Sequence, residues 1–278
     1  SLDRLWSRLG EAPFPFHTRP VTQDAYEAAC PGDRARILST AEDAVRRRVD
    51  FLGSGPVDLP SPIPWHTDFK SGHSWPVAPF RRIDVLDLGR DSDIKVPWEL
   101  SRLQWLIPAG QAYMITGEER FADAVRAVIE DWAAANPLSR GVNWACTMDV
   151  ALRSITLVWL FHVFHHAAAW QDDGFRKDFL KLLYLHGDFI SRHLEWSDIN
   201  GNHLIADAAA PLARKGRMSA YRHRGFWQPA DTVKERNALE AAYQSGARPW
   251  MLWESHETDQ DPLQAAIAEM HRSSHQRD

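Results

Sequence analysis

The chain is poor in the features that define several protein classes. Cysteine occurs twice in 278 residues, at Cys30 and Cys146. Two are too few for a disulfide framework, and they lack the close spacing of a zinc site. Both read as free thiols in the core, the usual place for unpaired cysteine. No apolar run approaches the roughly 20 residues of a membrane-spanning helix, so no membrane partner is expected. Ser1-Leu2-Asp3-Arg4 leads into charged sequence without the apolar stretch of a secretory leader. Excess positive charge is missing too: 37 acidic against 32 basic residues give a net charge of −5. That balance argues against a nucleic-acid partner, although basic residues cluster locally at Arg46-Arg47-Arg48. Strands alternating with helices, and repeats of fixed period, are not found.

Tryptophan is abundant, with 13 residues. Many of these will fill a helical core. Flat indole faces also suit the C–H faces of sugar rings, so a carbohydrate cleft is the functional alternative.

Along the chain, the first thirty or so residues are broken by Pro13, Pro15 and Pro20 and read as mostly irregular. A helix is expected over 33–52, where Ile37, Ala41, Ala44, Val45, Val49 and Leu52 recur at helical spacing. Residues 53–97 hold too many prolines and glycines for long helices, and so long a loop in a compact domain is usually functional. Helix then follows helix. One is expected over 98–115 with a break at Pro108. The next is opened by a capping box in which Thr116 is the N-cap and Glu119 lies three residues on. Two more are expected over 144–166 and 173–194, and a further one from about Asn202. Successive antiparallel helices of this length suit a bundle or an α/α toroid. The organisation is therefore 1–52 (irregular segment and helix), 53–97 (Pro/Gly/Trp-rich loop), 98–210 (helical core) and 211–278, a divergent segment that is partly helical or disordered.

Four stretches carry candidate chemistry. In Asn200-Gly201-Asn202-His203, an amide and an imidazole stand before an apolar helical start. An amide can neutralise a carboxylate and an imidazole can move a proton, as β-elimination from a uronic acid requires. A helix cap is the alternative use of either Asn. In Gly141-Val142-Asn143-Trp144, followed by Asp149 and Arg153, the last two lie four apart and could pair on one helix face, with Asn143 at a capping position. In Lys95-Val96-Pro97-Trp98-Glu99, Glu99 stands three residues before Arg102. An Arg with a fixed carboxylate partner could grip an acidic sugar, or could be one more helix-start ion pair. The loop from Trp65 through Lys70 to Trp75 interleaves aromatic and hydrogen-bonding groups, which suits a binding rim or a docked structural loop. His162 and His166 lie four apart, but no Glu follows the first in the metalloprotease manner. Half-buried helix histidines are expected there, and no metal.

In order, the segments FLGSGPVDL, WHTDFKSG, IKVPWELSR, GVNWACTMDVALR and GNHLIAD resemble the N-terminal half of the bacterial heparinase II/III family over roughly residues 45–210. The resemblance implies an α/α toroid and cleavage of uronate-containing polysaccharides, glycosaminoglycans among them, by β-elimination without a cofactor. It implies that Asn202 neutralises the carboxylate and that the adjacent His203 belongs to the active site. It gives Trp65, Lys70, Trp98, Glu99, Arg102, Asn143, Trp144 and Arg153 places around the cleft, as substrate-binding or supporting residues. Asp149 stands where the family has Glu. Past about Ala210 the resemblance fades. The family's Tyr-His element is not found, since Tyr221 and Tyr243 sit in other contexts, and no β-sandwich follows. The expected fold is therefore all-α, an incomplete (α/α) toroid of antiparallel helices with no C-terminal β-sandwich. The expected partner is an acidic polysaccharide, and the family suggests a periplasmic or secreted location. Two alternatives stay open: a glycan-binding toroid without turnover, and a glycoside hydrolase using a carboxylate pair drawn from Glu99, Asp149, Asp198 and Asp207.

Overall fold

The computed structural model describes residues 1–12, 28, 30–85, 89–194 and 233–246. The chain divides into two units, Ser1–Met218 and Ser219–Asp278. The first holds helices α1 (Leu2–Gly10), α2 (Asp33–Val45), α3 (Lys95–Ser101), α4 (Ile107–Thr116), α5 (Glu119–Ala135), α6 (Thr147–Phe164) and α7 (Asp173–Arg192). In the second, α8 (Val233–Gln244) is described. The first unit is an open, incomplete α/α toroid. Among the described residues its one sheet is the two-residue hairpin of β1 (Arg48–Val49) and β2 (Val57–Asp58), with Val49 opposite Val57.

The helices of this unit pack on one another through apolar faces. α2 lies on α4, α4 on α5 and α6, and α6 on α7. Phe121, Val125, Ile129 and Trp132 of α5 recur at helical spacing and are all buried. α6 is apolar on nearly all sides. By length and composition alone it could cross a membrane, but more than half of it is buried inside the protein, as a central core helix must be.

Several expectations are corrected. The N-terminal segment is not wholly irregular: α1 forms upstream of the prolines, with the Ser1 side chain accepting from the Arg4 N–H. Trp6 secures it, donating Nε1–H to the His165 carbonyl at 3.0 Å and meeting Phe161 edge-on. The 33–52 helix stops at Val45, because Arg47 turns to φ +60 and the chain enters β1. The break in 98–115 falls before the proline, at Leu103 (φ +60). Pro108 instead sits in the first turn of α4, where its missing N–H costs nothing. Thr116 ends α4 rather than capping α5. Its hydroxyl donates to the Ala112 carbonyl, Gly117 makes the left-handed cap, and Glu118 is the N-cap of α5. α6 starts at Thr147 because Val142–Trp144 is wound into a 3-10 turn. Cys146 is buried as expected, but Cys30 is exposed.

The long loop is docked. Asp131 on α5 accepts from the Ile63 N–H and the Trp65 indole, each at 3.0 Å. His66 Nε2–H donates to the Ala135 carbonyl at 3.1 Å. Asp68 is buried and gathers the Lys70 and Asp93 N–H groups and the Ser71 hydroxyl. Burial opposes its ionised form, but these donors outweigh burial and hold its carboxyl below the usual range.

Candidate active site

Four short pieces converge at one end of the helical body: α3, the Val142–Trp144 turn, the first turn of α6 and the last turn of α7. Hydrogen bonds tie them together. The Trp98 indole donates to the Val142 carbonyl at 2.9 Å. The Thr147 hydroxyl donates to the His193 carbonyl at 2.6 Å.

Charge is concentrated on Arg102. Its guanidinium donates Nε–H to Asp149 Oδ1 at 2.5 Å and Nη1–H to Glu99. The Glu99–Arg102 pair is thus made, and a second carboxylate from another helix joins it. Asp149 is 1% exposed. Glu99 and Arg102 are half-buried and reach the surface. Burial raises the Glu99 carboxyl above its ordinary range, although the Arg102 charge pulls the other way.

The expected Asp149–Arg153 pair is not formed. Arg153 is fully buried and points into the core. It donates Nη2–H to the Asn143 carbonyl at 2.9 Å, Nη1–H to the Ser101 carbonyl at 3.3 Å and Nε–H to His186 Nε2 at 2.8 Å. Its guanidinium carbon also lies 4.3 Å from the centre of the Trp132 ring, a cation–π contact. Burial brings Arg153 down to about 9, with Asp149 and Cys146 opposing. It remains a cation at neutral pH, held by carbonyls, an imidazole and indole faces rather than by a carboxylate.

The other expected residues fall into three groups. Trp65, Asn143 and Trp144 are each 1% exposed and brace the interior. Asn143 Nδ2 donates to the Trp65 carbonyl and to Asn136 Oδ1, both at 2.8 Å. The Trp144 indole donates to the Asn136 carbonyl. Trp98, Glu99 and Arg102 reach the surface together. Lys70 is exposed elsewhere on the docked loop, its ammonium on the Leu52 carbonyl at 2.9 Å. It borders a shallow cleft of about 350 Å³ with Asp68, Arg90, Asp91 and Asp93. Asn202 and His203 lie outside the described residues, as do Asp198 and Asp207.

Sequence reasoning passed over His186, which occupies the apolar stripe of α7 with Leu182 and Phe189. A lone imidazole in such a stripe was the available signal. Asp149 Oδ2 and Asn143 Oδ1 are buried acceptors with no partner among the described residues. There too, no group of three metal-ligating side chains converges.

An open helical toroid with a charged cluster at one end defines a class, and comparison with known proteins narrows it. Residues 63–224 match the family Heparinase II/III N-terminus. That is more than half of the chain, and the chain belongs to this family. A heparin-sulfate lyase of Pedobacter heparinus is 26% identical over 197 residues, covering 64% of this chain and 29% of that protein. The crystal structure of heparan sulfate lyase HepC from the same bacterium aligns with TM-score 0.50 and 19% identity over 74% of this chain and 29% of that one. A HepC mutant aligns with TM-score 0.52 and 21% identity, over 76% and 30%. These structures share the helical toroid. A separate short likeness, 44% identity over 43 residues, is to glucose-1-phosphate cytidylyltransferase of Salmonella typhimurium; it covers 16% of this chain and 17% of that enzyme. The chain spans less than a third of the length of each of these relatives.

Proposed function

We propose that this chain supplies the toroid of a polysaccharide lyase acting on uronate-containing acidic polysaccharide. In the reaction the C5 proton is removed beside the carboxylate, the C4–O bond breaks, and a C4=C5 double bond forms. The glycosidic oxygen leaves with a proton. Removing the C5 proton places charge on the carboxylate, and a neutral amide donor stabilises that charge without competing for the proton. Asn202 takes this role, and His203 assists proton transfer. Trp98, partly buried, offers a flat face for a sugar ring, and Arg102 is held beside it by its two carboxylates. Asn143, Trp144, Arg153 and Trp65 act from behind, by fixing the turn that carries the site.

The observation that carries this reading is the family match, which runs through Asn202 and His203. The test is incubation with uronate polymers while following the ultraviolet absorbance of the unsaturated product. Asn202→Ala is expected to slow elimination about a hundredfold or more with unchanged stability. Hydrolysis products without a double bond would replace the lyase by a hydrolase. Glu99 and Asp149 are both engaged by Arg102 and Asp149 is buried, which speaks against these two as the hydrolytic pair; Asp198 and Asp207 lie outside the described residues. Binding without any turnover would favour the second reading, a glycan-binding toroid.

A further inference from the structure

Next to the candidate site runs a rigid strip with three arginines. Pro79 bridges Arg140 in antiparallel fashion. The Phe80 N–H donates to the Ser139 carbonyl at 3.0 Å, the Gly141 N–H to Ala78 at 2.8 Å and the Arg82 N–H to Pro79 at 2.8 Å. The Phe80 ring packs on Phe189 and His193 at the end of α7, 5.4 and 5.5 Å between centroids. Arg81 and Arg82 follow it on the exposed side of the 3-10 turn Phe80–Arg82. Arg140 is exposed opposite, one Nη2–H on the Val77 carbonyl at 3.0 Å. Arg140 lies two residues from Val142, whose carbonyl holds Trp98. The strip and the Trp98–Arg102 cluster are thus joined through the 3-10 turn Val142–Trp144.

The three guanidiniums differ from the other charged groups nearby. Arg102 is neutralised by Glu99 and Asp149, and Arg192 by Asp188. Arg81, Arg82 and Arg140 meet no described carboxylate, although the chain as a whole is acidic. Three unneutralised guanidiniums on a fixed backbone form a positive surface, and their planar donors match sulfate and carboxylate oxygens. Within the strip the Arg81 guanidinium lies 5.6 Å from the centre of the Phe80 ring, but the apolar anchor of the strip is Phe80 itself, on Phe189 and His193.

We propose that Arg81, Arg82 and Arg140 form an anion-gripping strip that holds acidic groups of the polysaccharide outside the sugar being cleaved. This rests on the lyase reading. It adds that binding depends on anionic groups spaced along the polymer and on these three residues. The shared chemistry is an anionic oxygen group, supplied either by sulfate esters or by the carboxylates of neighbouring uronates.

The experiment is titration of the full chain, by calorimetry, with heparin and with unsulfated heparosan across a range of salt. A triple R81A/R82A/R140A variant is expected to bind about tenfold or more weakly at low salt. Its plot of log affinity against log salt should flatten by roughly one per lost contact, as counter-ion release requires. The triple Lys variant should keep the parent's salt slope, because charge is kept, but bind more weakly than the parent, because the planar paired donors are lost. Arg36→Ala, which removes an arginine paired with Asp33, should bind normally. A greater loss on heparin than on heparosan assigns the strip to sulfate, and equal loss assigns it to carboxylate. Parent-like affinity and salt slope in a folded triple Ala variant overturns the strip while leaving the lyase reading intact. Failure of the parent to bind either polymer sinks both. Loss confined to a nucleic-acid control overturns the sugar assignment.

Discussion

The Arg153 guanidinium donates to Nε2 of His186 across 2.8 Å in a fully buried pocket. The same imidazole donates its Nδ1–H to the Leu182 carbonyl at 2.8 Å. His186 is therefore neutral, in the Nδ1–H tautomer, with a cation on its free nitrogen. Burial first, and the Arg153 charge second, hold its pKa well below 6.5. The ring also packs against the indoles of Trp132 and Trp144. One histidine on α7 thus braces α6, α5 and the turn that carries Asn143.

This arrangement predicts acid lability. Folded His186 stays neutral, while the unfolded chain takes up a proton below about pH 6.5. The unfolded state then binds more protons, so the contribution is whole above that pH and is lost as pH falls. The slope is at most about 1.4 kcal/mol per pH unit for one such group. His66, lowered mainly by burial, acts in the same direction. Glu99, raised by burial, acts oppositely above its unfolded value of 4.5. Thermal midpoints of the parent should fall between pH 7 and 5. The slope should be shallower in His186→Gln, and an identical pH profile for the two proteins would contradict the assignment.

Arg102 is the sole described partner of the buried Asp149 carboxylate. Arg102→Met should cost about 3–5 kcal/mol, because it strands that charge in the interior. Adding Asp149→Asn should recover part of the loss, giving a coupling energy well above the noise of a double-mutant cycle. Urea unfolding of the parent, the two single variants and the double variant measures it. Additive effects would mean that the pair is not made.

Gly141 carries the turn at φ +82, and a Cβ there would lie 2.3 Å from His66 Cε1. Gly141→Ala should therefore cost about 2–4 kcal/mol, strain and clash together. Gly117, at φ +70 with open space around it, should cost only about 1 kcal/mol on the same change. Chemical denaturation of both variants compares them directly. Equal losses would remove the claim that His66 closes on the turn.

Two tryptophans from neighbouring motifs should behave differently. Trp144 is 1% exposed and packs on Trp132, His186 and Phe189. Trp144→Ala should cost about 3–5 kcal/mol, so any loss of sugar binding in that variant reports unfolding. Trp98 is partly buried, and Trp98→Ala should cost only about 1–2 kcal/mol, its Val142 hydrogen bond included. Affinity for a uronate polymer should nevertheless drop about tenfold if a sugar ring stacks there. Undiminished binding by a folded Trp98→Ala variant would remove the stacking role.

Much of the helical frame was legible because periodicity is local. The stripes of α5 and α7 place Phe121, Trp132, Phe175 and Ile190 inward wherever the helices pack. The ordered motifs pointed to the family for a related reason: each is a short segment whose residues fold together. Ends of elements were less legible. Thr116 fits a capping box on paper, yet its hydroxyl goes back to Ala112 because Gly117 turns the chain first. α1 is a short segment followed by prolines, and what stabilises it is a contact 159 residues away in the chain, Trp6 on His165, that local sequence does not show. The uses of Trp65, Asn143 and Trp144 were open between sugar contact and internal brace, and burial is what distinguishes the two.

The amino-acid order by itself determined that the chain makes successive amphipathic helices, that a docked or binding loop must fill 53–97, and that Glu99 and Arg102 would meet one turn apart. The partners of Arg153 and Asp149 were decided only in three dimensions. Four residues apart on α6, they could have paired with each other at the surface. The packing of α6 turns position 153 toward the indoles and His186, and presents position 149 to Arg102 on α3. A helix fixes which residues share a face. Which neighbour that face meets depends on contacts between residues far apart in the chain, and these form only when the whole core closes.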